Sequence, residues 1–382
     1  MAVERAGEKS ASWCNVVSFL SHLSHSRARR KLVRHTRNEG MVAEVTCHVE
    51  RRVMMRTRRM GSVMAVAVLL AGVGMVSAGV IRQDIEFDGR PVVLILPENF
   101  DKGHDLIPLI LHLHGSVPFP DVADLELDNS GYRDLPSKYR VVVAAPRAAL
   151  NPLGLFTWNA FFSLAGCSPV NAEDVDFLNR LLNELLETYP IDPQRVYIYG
   201  YSAGAAMAHR MACDNAERFA GIAAGAGWTL GDPLQCTPSV PISVLQFHSK
   251  GDEVVLFDGG NIGGLFADPE NPACEYSGAI ELLARWADLN GCVGELKYGH
   301  KPKYDLTTPG VVELPGGVTI TGGVEGKETT VNKFRQCPHG IDVELWSLEE
   351  GVPHPPLFFH FGAHGIKTLA EKSWQFLRSH KR

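Results

Sequence analysis

The residues best suited to chemistry in this 382-residue sequence lie in the pentapeptide Gly200-Tyr-Ser-Ala-Gly204. An apolar run at 195–199 precedes it, and a series of small helix-forming residues at 205–212 follows it. A strand, a Gly-x-Ser-x-Gly turn and a helix together predict a nucleophile elbow, in which a strained turn exposes a serine hydroxyl. Ser202 is therefore predicted to attack a carbonyl carbon. The alternative is a tight turn that carries an idle serine.

A serine nucleophile of this kind needs a histidine base and an acid that orients it, in the chain order Ser, acid, His. Asp252 follows the predicted buried strand that ends at His248, and His354 follows the predicted strand at 342–348. Both are therefore predicted to complete a catalytic triad with Ser202. The alternatives for the acid and the base are Glu253, Asp258, His360 and His364.

Acyl transfer also needs two backbone N–H groups aimed at the developing oxyanion. Ala203, the residue after the nucleophile, is predicted to supply one of them. The loop after His114-Gly115 is predicted to supply the other, through the N–H of Ser116. A His-Gly pair after a strand is otherwise only a turn.

Alternating strands and helices must position these groups. Continuous apolar runs predict buried strands at 91–96, 107–113, 139–145, 195–199, 240–248 and 342–348. Helices are predicted after 171, after the elbow, at 279–290 and at 367–380. Continuous apolar strands separated by helices are typical of a mostly parallel, doubly wound α/β sheet covered on both faces. Residues 295–335, rich in Gly and Pro, are predicted to form a small β-hairpin excursion.

An aromatic segment lies between a predicted strand and the helix after 171. Phe156 and Trp158 in this segment, together with Tyr201 in the elbow, are candidate substrate-binding residues. Ordinary packing in the core is the alternative explanation for such side chains.

Charge divides the chain unevenly. Residues 1–60 hold 13 Lys and Arg against 5 Asp and Glu, whereas the remainder holds 24 against 38. An acidic folded part argues against a nucleic-acid partner. No charged residue occurs from Met60 until Arg82, so the basic stretch, the apolar stretch and the small residues up to Ala78 predict a signal peptide.

The predicted organisation is a disordered or untranslated extension at 1–53, a signal peptide at 54–78 cleaved near Ala78, and a single catalytic domain at 79–382. This organisation predicts a secreted, extracellular or periplasmic protein without a stable membrane partner. The alternative is an uncleaved membrane anchor. Six cysteines remain after residue 78, an even number that predicts disulfides but allows 15 pairings. The sequence contains no C-x-x-C motif, so it gives no support for a zinc site.

Five segments together carry a family resemblance. They are His114-Gly115, the elbow block at 195–204 and the segments at 173–178, 247–252 and 344–354. The chain from about residue 80 resembles the secreted polyhydroxybutyrate depolymerases and the feruloyl and acetylxylan esterases of the α/β-hydrolase superfamily. The resemblance implies an α/β-hydrolase fold and carboxylic ester hydrolysis without a cofactor. It also implies a disulfide between Cys292 and Cys337, and a second between Cys213 and Cys236.

The sequence departs from the depolymerase pattern around the base and after His114-Gly115. His354 lies among prolines with no Trp beside it, and Ser116 stands where many of these proteins carry Cys. These departures do not affect the groups that ester hydrolysis requires. The expected function is a serine ester hydrolase that acts through an acyl-enzyme on a small-molecule or polymer-linked ester. The alternatives are an acyltransferase or serine peptidase on the same scaffold, or a non-catalytic surface binding protein.

Overall fold

The computed structural model describes a large part of the chain from residue 79 onward, with internal gaps. The described residues are 79–101, 105–161, 172–229, 236–262, 272–314, 318–349, 354 and 368–382. Residues 1–78, which contain the predicted signal peptide, lie outside the described residues.

The described residues form thirteen strands and six α-helices. The strands are β1 (Val80–Phe87), β2 (Arg90–Pro97), β3 (Ile107–Leu113), β4 (Val142–Pro146), β5 (Ile191–Tyr201), β6 (Gly221–Gly225), β7 (Ser243–Ser249), β8 (Gly259–Asn261), β9 (Glu275–Ser277), β10 (Gly310–Leu314), β11 (Val318–Gly322), β12 (Thr329–Phe334) and β13 (Val343–Leu348). The helices are α1 (Pro120–Ser130), α2 (Leu135–Lys138), α3 (Glu173–Thr188), α4 (Ala203–Asp214), α5 (Ala279–Leu289) and α6 (Thr368–Leu377).

Nine strands form one central sheet in the order β1-β2-β4-β3-β5-β6-β7-β13-β12. The six strands from β4 to β13 in this order run parallel, whereas β1, β2 and β12 pair antiparallel with their neighbours. Every residue of β3, β6 and β7 is buried, as continuous apolar strands covered on both faces should be. β1 alternates between less and more exposed residues, as expected for an edge strand with one wet face.

Helices cover both faces of this sheet. Side chains of α3, α4 and α5 pack in one apolar cluster with Leu109 and Leu111 of β3. Side chains of α1, α2 and α6 pack in the other cluster with Ile110, which points to the opposite face of the same strand. The sheet is therefore doubly covered, as the sequence predicts. This is the α/β-hydrolase fold, with the elbow serine directly after a central parallel strand.

The glycine-rich segment at 295–335 is only partly the predicted excursion. β10 and β11 form a separate antiparallel hairpin. β12 instead joins the central sheet, because Thr329–Phe334 pairs antiparallel with β13 and becomes its edge strand.

Two disulfides confirm the pairings implied by the family resemblance. Cys292 is bonded to Cys337, and Cys213 is bonded to Cys236. Cys274 is also disulfide-bonded. No helix in the described part of the chain combines the length and apolarity that a membrane crossing requires.

Candidate active site

The elbow lies where β5 ends and α4 begins. Ser202 has φ 54° and ψ −121°, a backbone conformation that non-glycine residues rarely adopt. Its N–H donates to the carbonyl oxygen of Gly225 at the end of β6, at 2.8 Å. This bond ties the turn to the neighbouring strand, so the sheet holds the serine in its strained conformation.

Two glycines allow the elbow to form. A Cβ on Gly200 would overlap the backbone of Gly204, and a Cβ on Gly204 would overlap the carbonyl groups of Leu113 and His114. The absence of side chains therefore lets α4 begin in direct contact with the end of β3. This contact brings the loop after β3 against the elbow.

The predicted acid follows β7 in a tight loop. Asp252 is 4% exposed, and its Oδ1 accepts the N–H groups of Val254 and Val255, both at 2.9 Å. These bonds leave Oδ2 directed away from its own loop. A buried carboxylate with such donors is held in one orientation.

The predicted base meets this carboxylate. The Nδ1 atom of His354 lies 2.8 Å from Oδ2 of Asp252, although the two residues are 102 positions apart. The ring of His354 packs against Tyr201, which directly precedes the predicted nucleophile Ser202, with ring centroids 5.4 Å apart. The structure therefore brings acid, base and elbow to one edge of the sheet. It pairs His354 with Asp252 rather than with Glu253 or Asp258.

Charge and hydrogen bonding keep Asp252 ionised. Burial favours the neutral acid, but the charge of His354 and the hydrogen bonds from His248 and His354 outweigh it. Together they hold the pKa of Asp252 well below its usual range. An ionised Asp252 can only accept, so the Nδ1 atom of His354 carries the proton. In the neutral form of His354, Nε2 is then the nitrogen that carries the lone pair.

The hydroxyl of Ser202 makes no hydrogen bond to His354 among the described residues. Bonds of this kind are often long before substrate binds. The competing bases His360 and His364 lie outside the described residues.

The loop after β3 faces the elbow, as the oxyanion prediction requires. A Cβ built on Gly115 would lie 3.2 Å from Cβ of Ser202 and 3.4 Å from the carbonyl oxygen of Tyr201. Within the described part of the chain, the N–H groups of Ser116 and Ala203 have no hydrogen-bond acceptor. Both are therefore available to an oxyanion, whereas the N–H of Gly115 is donated to Glu126 at 2.9 Å.

Hydrogen bonds that involve side chains hold this loop against neighbouring segments, and sequence reasoning missed most of their partners. Nε2 of His114 accepts the N–H of Ala148 at 3.1 Å, and the carbonyl of His114 accepts the indole N–H of Trp158 at 3.0 Å. The hydroxyl of Ser116 bonds the hydroxyl of Thr157 at 2.6 Å, and Glu126 accepts the N–H of Gly115. Burial lowers the pKa of His114 to about 4, which keeps its imidazole neutral.

The candidate substrate-binding residues lie close to the site, but two of them are buried. Trp158 is 2% exposed beneath the loop after β3, and Tyr201 packs between Phe247 and His354. Phe156 pairs through its backbone with Val117 and keeps part of its surface exposed. Contact between any of the three and a substrate stays a prediction.

Comparison with known proteins finds relatives that are named as esterases or as a depolymerase. The chain is 28% identical over 242 residues to feruloyl esterase B of Piromyces equi, an alignment that covers 61% of this chain and 42% of that protein. It is 33% identical over 220 residues to poly(3-hydroxybutyrate) depolymerase of Ralstonia pickettii, covering 56% and 43%. It is also 25% identical over 219 residues to feruloyl esterase C of Emericella nidulans, covering 54% and 73%. This chain is similar to known esterases.

The similarity is partial. The chain spans about two fifths of the length of feruloyl esterase B, of a putative esterase of Nocardia uniformis and of a probable feruloyl esterase C of Aspergillus niger. No family model matches the chain. A solved acetyl xylan esterase from Aspergillus awamori superposes with a TM-score of 0.48 at 13% identity, covering 78% of this chain and 99% of that one. The fold assignment therefore rests on the topology described above.

Two further groups at the site escaped sequence reasoning. Glu126 belongs to α1, far from any recognisable motif, and His248 is predicted only as the end of a strand and a part of the segment at 247–252. The signal for His248 was the buried polar pair Gln246 and His248, which share one face of β7 by their spacing of two.

Proposed function

We propose that this protein is a carboxylic ester hydrolase whose triad is Ser202, His354 and Asp252. The observation that carries the proposal is the 2.8 Å contact between His354 and Asp252 directly beside the strained elbow. Glu253 and Asp258 are not needed in this scheme.

The reaction follows from the tautomer of His354. Ser202 attacks the ester carbonyl carbon through Oγ while Nε2 of His354 takes the hydroxyl proton. Asp252 stabilises the imidazolium that forms. The C–O bond of the ester then breaks, the departing alcohol receives the proton from Nε2, and an acyl-enzyme remains on Ser202. A water molecule, deprotonated by the same nitrogen, releases the acid and restores the serine.

The N–H groups of Ala203 and Ser116 are proposed to hold the negative oxygen in both steps. Neither N–H has an acceptor among the described residues, which supports this role. Each such donor typically contributes about a hundred-fold or more to turnover. The reaction needs no metal or cofactor.

The substrates proposed are esters of the kinds named for the relatives. These names specify feruloyl esters, acetylxylan and poly(3-hydroxybutyrate). The candidate substrate contacts are Phe156, Trp158 and Tyr201. We further propose that residues 79–382 form one catalytic domain and that the protein works outside the reducing cytosol, because disulfides persist in oxidising compartments.

The test uses the purified chain and a panel of nitrophenyl, feruloyl and acetyl esters. Ser202→Ala should lower kcat by several orders of magnitude, and His354→Ala should do the same. Asp252→Asn should also lower kcat, because an amide can hold the wrong imidazole tautomer. Ser239→Ala, which removes an exposed serine bonded to Glu217, should leave kcat unchanged.

A fluorophosphonate probe separates the alternatives. Labelling of the parent that disappears in Ser202→Ala supports an activated serine. Acylation of added alcohols in preference to water would indicate an acyltransferase, and cleavage of peptides would indicate a peptidase. If the folded parent neither reacts with the probe nor hydrolyses any ester, the proposal fails and a binding role is favoured.

A further inference from the structure

The carboxylate of Asp252 is shared by two imidazoles. Besides His354, the ring of His248 approaches it from within β7, with Nε2 3.4 Å from Oδ2 of Asp252. The same nitrogen lies 2.8 Å from the carbonyl oxygen of Val255. Since a carbonyl can only accept, Nε2 of His248 carries a proton and donates it to Val255, with Oδ2 of Asp252 as a second and longer neighbour.

A chain of buried hydrogen bonds leads to His248 from α5. The indole N–H of Trp286 donates to Nδ1 of His209 at 3.0 Å, so this nitrogen must be the acceptor. Burial lowers the pKa of His209 to about 4, so the ring is neutral and its proton lies on Nε2. That proton points at Oε1 of Gln246, 3.0 Å away.

The amide of Gln246 accepts from His209 through Oε1 and faces the ring of His248 through Nε2. Its Nε2 donates to the carbonyl of Gly227 at 3.2 Å and faces Nδ1 of His248 at 3.4 Å. Nδ1 of His248 is thereby the acceptor, which again leaves the proton on Nε2. Two independent contacts, one at each nitrogen of His248, therefore fix the same tautomer.

This row of polar groups lies inside the protein. His209 and Gln246 have no measurable exposure, and His248 is 2% exposed. Polar side chains at such positions are costly unless every member is paired, and an apolar set would fill the same space. The ring of His248 also meets the edge of Phe257, and the titratable groups that it faces are Asp252 and, beyond it, His354. The row therefore runs from Trp286 through His209 and Gln246 to His248, which lies beside Asp252.

We propose that His248 is a positioning residue for the ester hydrolysis inferred above, holding the Asp252 carboxylate in place through an Nε2–H that it shares between the carbonyl of Val255 and, at longer range, Oδ2 of Asp252. Trp286, His209 and Gln246 fix the tautomer that makes this donation possible. The inference rests on the proposed function. His248 itself touches neither the nucleophile nor the leaving group in this scheme and acts only through Asp252.

The matched variants are His248→Asn and His248→Gln. The amide nitrogen of Gln reaches the position of the ring Nε2 and can still donate to Asp252, whereas the amide of Asn ends one bond short. Both are neutral and polar, so they differ chiefly in this one hydrogen bond. His112→Asn is the control, because His112 is also buried in the sheet but bonds Ser130 and none of the triad.

His248→Asn should lower kcat by roughly ten- to a hundred-fold while KM stays within about two-fold, as expected when a bond to a charged group is lost away from the substrate. The acid limb of the kcat/KM profile should move to higher pH. An N–H aimed at Asp252 opposes positive charge on His354, and its loss favours the imidazolium. His248→Gln should restore both readouts towards the parent, and His112→Asn should leave both unchanged.

A second measurement does not depend on catalysis. The Nδ1–H proton of His354 in its bond to Asp252 can be followed by NMR in the same variants. It should move downfield in His248→Asn, because Asp252 loses a competing donor, and should return in His248→Gln. If the His354 resonance and the acid limb of the kcat/KM profile are the same in His248→Asn, His248→Gln and the parent, the inference is wrong.

The two proposals fail in different ways. The esterase proposal fails if the parent and Ser202→Ala have equal activity, and this outcome does not depend on the variants of His248. The positioning proposal fails if the parent is active and depends on Ser202, but its activity and the His354 resonance do not change when His248 is substituted.

Discussion

The buried carboxyl of Glu126 accepts the backbone N–H of Gly115 at 2.9 Å, on the loop that faces the nucleophile elbow. Its other oxygen, Oε1, is buried without a hydrogen-bond partner in the described structure. Burial raises the pKa of Glu126 to about 8, although the bond from Gly115 opposes the shift. A neutral acid therefore sits beside the site at neutral pH, and a negative charge develops there in mild alkali.

Glu126→Gln should abolish an alkaline decline in activity. In the parent, ionisation above about pH 8 places a negative charge beside the loop that is proposed to bind an oxyanion, so kcat/KM should fall there. Gln keeps an oxygen for Gly115 but does not ionise, so the variant should hold its activity. The check is a pH profile from 6 to 10 for both proteins. An identical decline in the two proteins would contradict this role.

The same residue should make the folded state less stable in alkali. The folded chain keeps the proton of Glu126 up to about pH 8, whereas an unfolded chain releases it near the ordinary value of 4.5. The folded state thus binds more protons in this window, and the free energy of unfolding falls as pH rises. The buried His114 and His209 act with the opposite sign, but only below about pH 6.5.

From pH 6.5 to 8 the loss assigned to Glu126 is about 2 kcal/mol. Urea unfolding at these two pH values should show the loss in the parent and not in Glu126→Gln. A parent whose stability is flat across this window would show that the carboxyl ionises inside the fold without cost.

The sequence predicts the triad because each member follows the end of a strand. In a parallel sheet these ends share one edge, so Ser202, Asp252 and His354 could be placed together from strand order alone. The glycines of the elbow also predict the position of Ser202, because a close approach of helix and strand requires residues without side chains. The disulfides were predicted by family resemblance, because six cysteines alone leave their pairing open.

Glu126 and His248 could not be found in this way. Their roles depend on which side chain of α1 crosses under the loop after β3, and on which face of β7 meets α5. The spacing of Gln246 and His248 marks a polar face of β7 but not the element that this face meets, and an isolated Glu on a helix is usually solvated. Strand β12 was missed for a related reason. A short β-prone segment in a glycine-rich stretch does not reveal whether its partner is a hairpin neighbour or the edge of the main sheet.

Ser116 offers a test of the oxyanion hole, because its backbone and side chain have separate partners. Ser116→Ala removes only the hydroxyl bond to Thr157, so kcat should change by no more than about three-fold. Ser116→Pro removes the N–H that is proposed to hold the oxyanion, and kcat should fall roughly a hundred-fold or more. Gly115 before it tolerates the extended backbone that proline demands.

Thermal unfolding and fluorophosphonate labelling of Ser116→Pro are the controls. A variant that folds and keeps its reactive serine, yet turns over slowly, is the expected result. If it turns over like the parent, Ser116 is not the second donor.

Removal of either disulfide should weaken the fold and spare the chemistry. Cys213 lies at the end of α4 opposite to Ser202, about 16 Å along the helix axis. Cys292 follows α5 and is bonded to Cys337 after β12, which ties that helix to the antiparallel edge of the sheet. The two bonds close separations of 23 and 45 residues, so each double Cys→Ala variant should lose roughly 3 to 4 kcal/mol of stability.

Urea unfolding and kcat at 25 °C check this prediction together. Because the loop entropy grows only slowly with length, the variant lacking Cys292 and Cys337 should be the less stable of the two by no more than about 1 kcal/mol. Both should keep the kcat of the parent while folded. A fall in kcat without a fall in stability would mean that one of these bonds positions the elbow or the base rather than the scaffold.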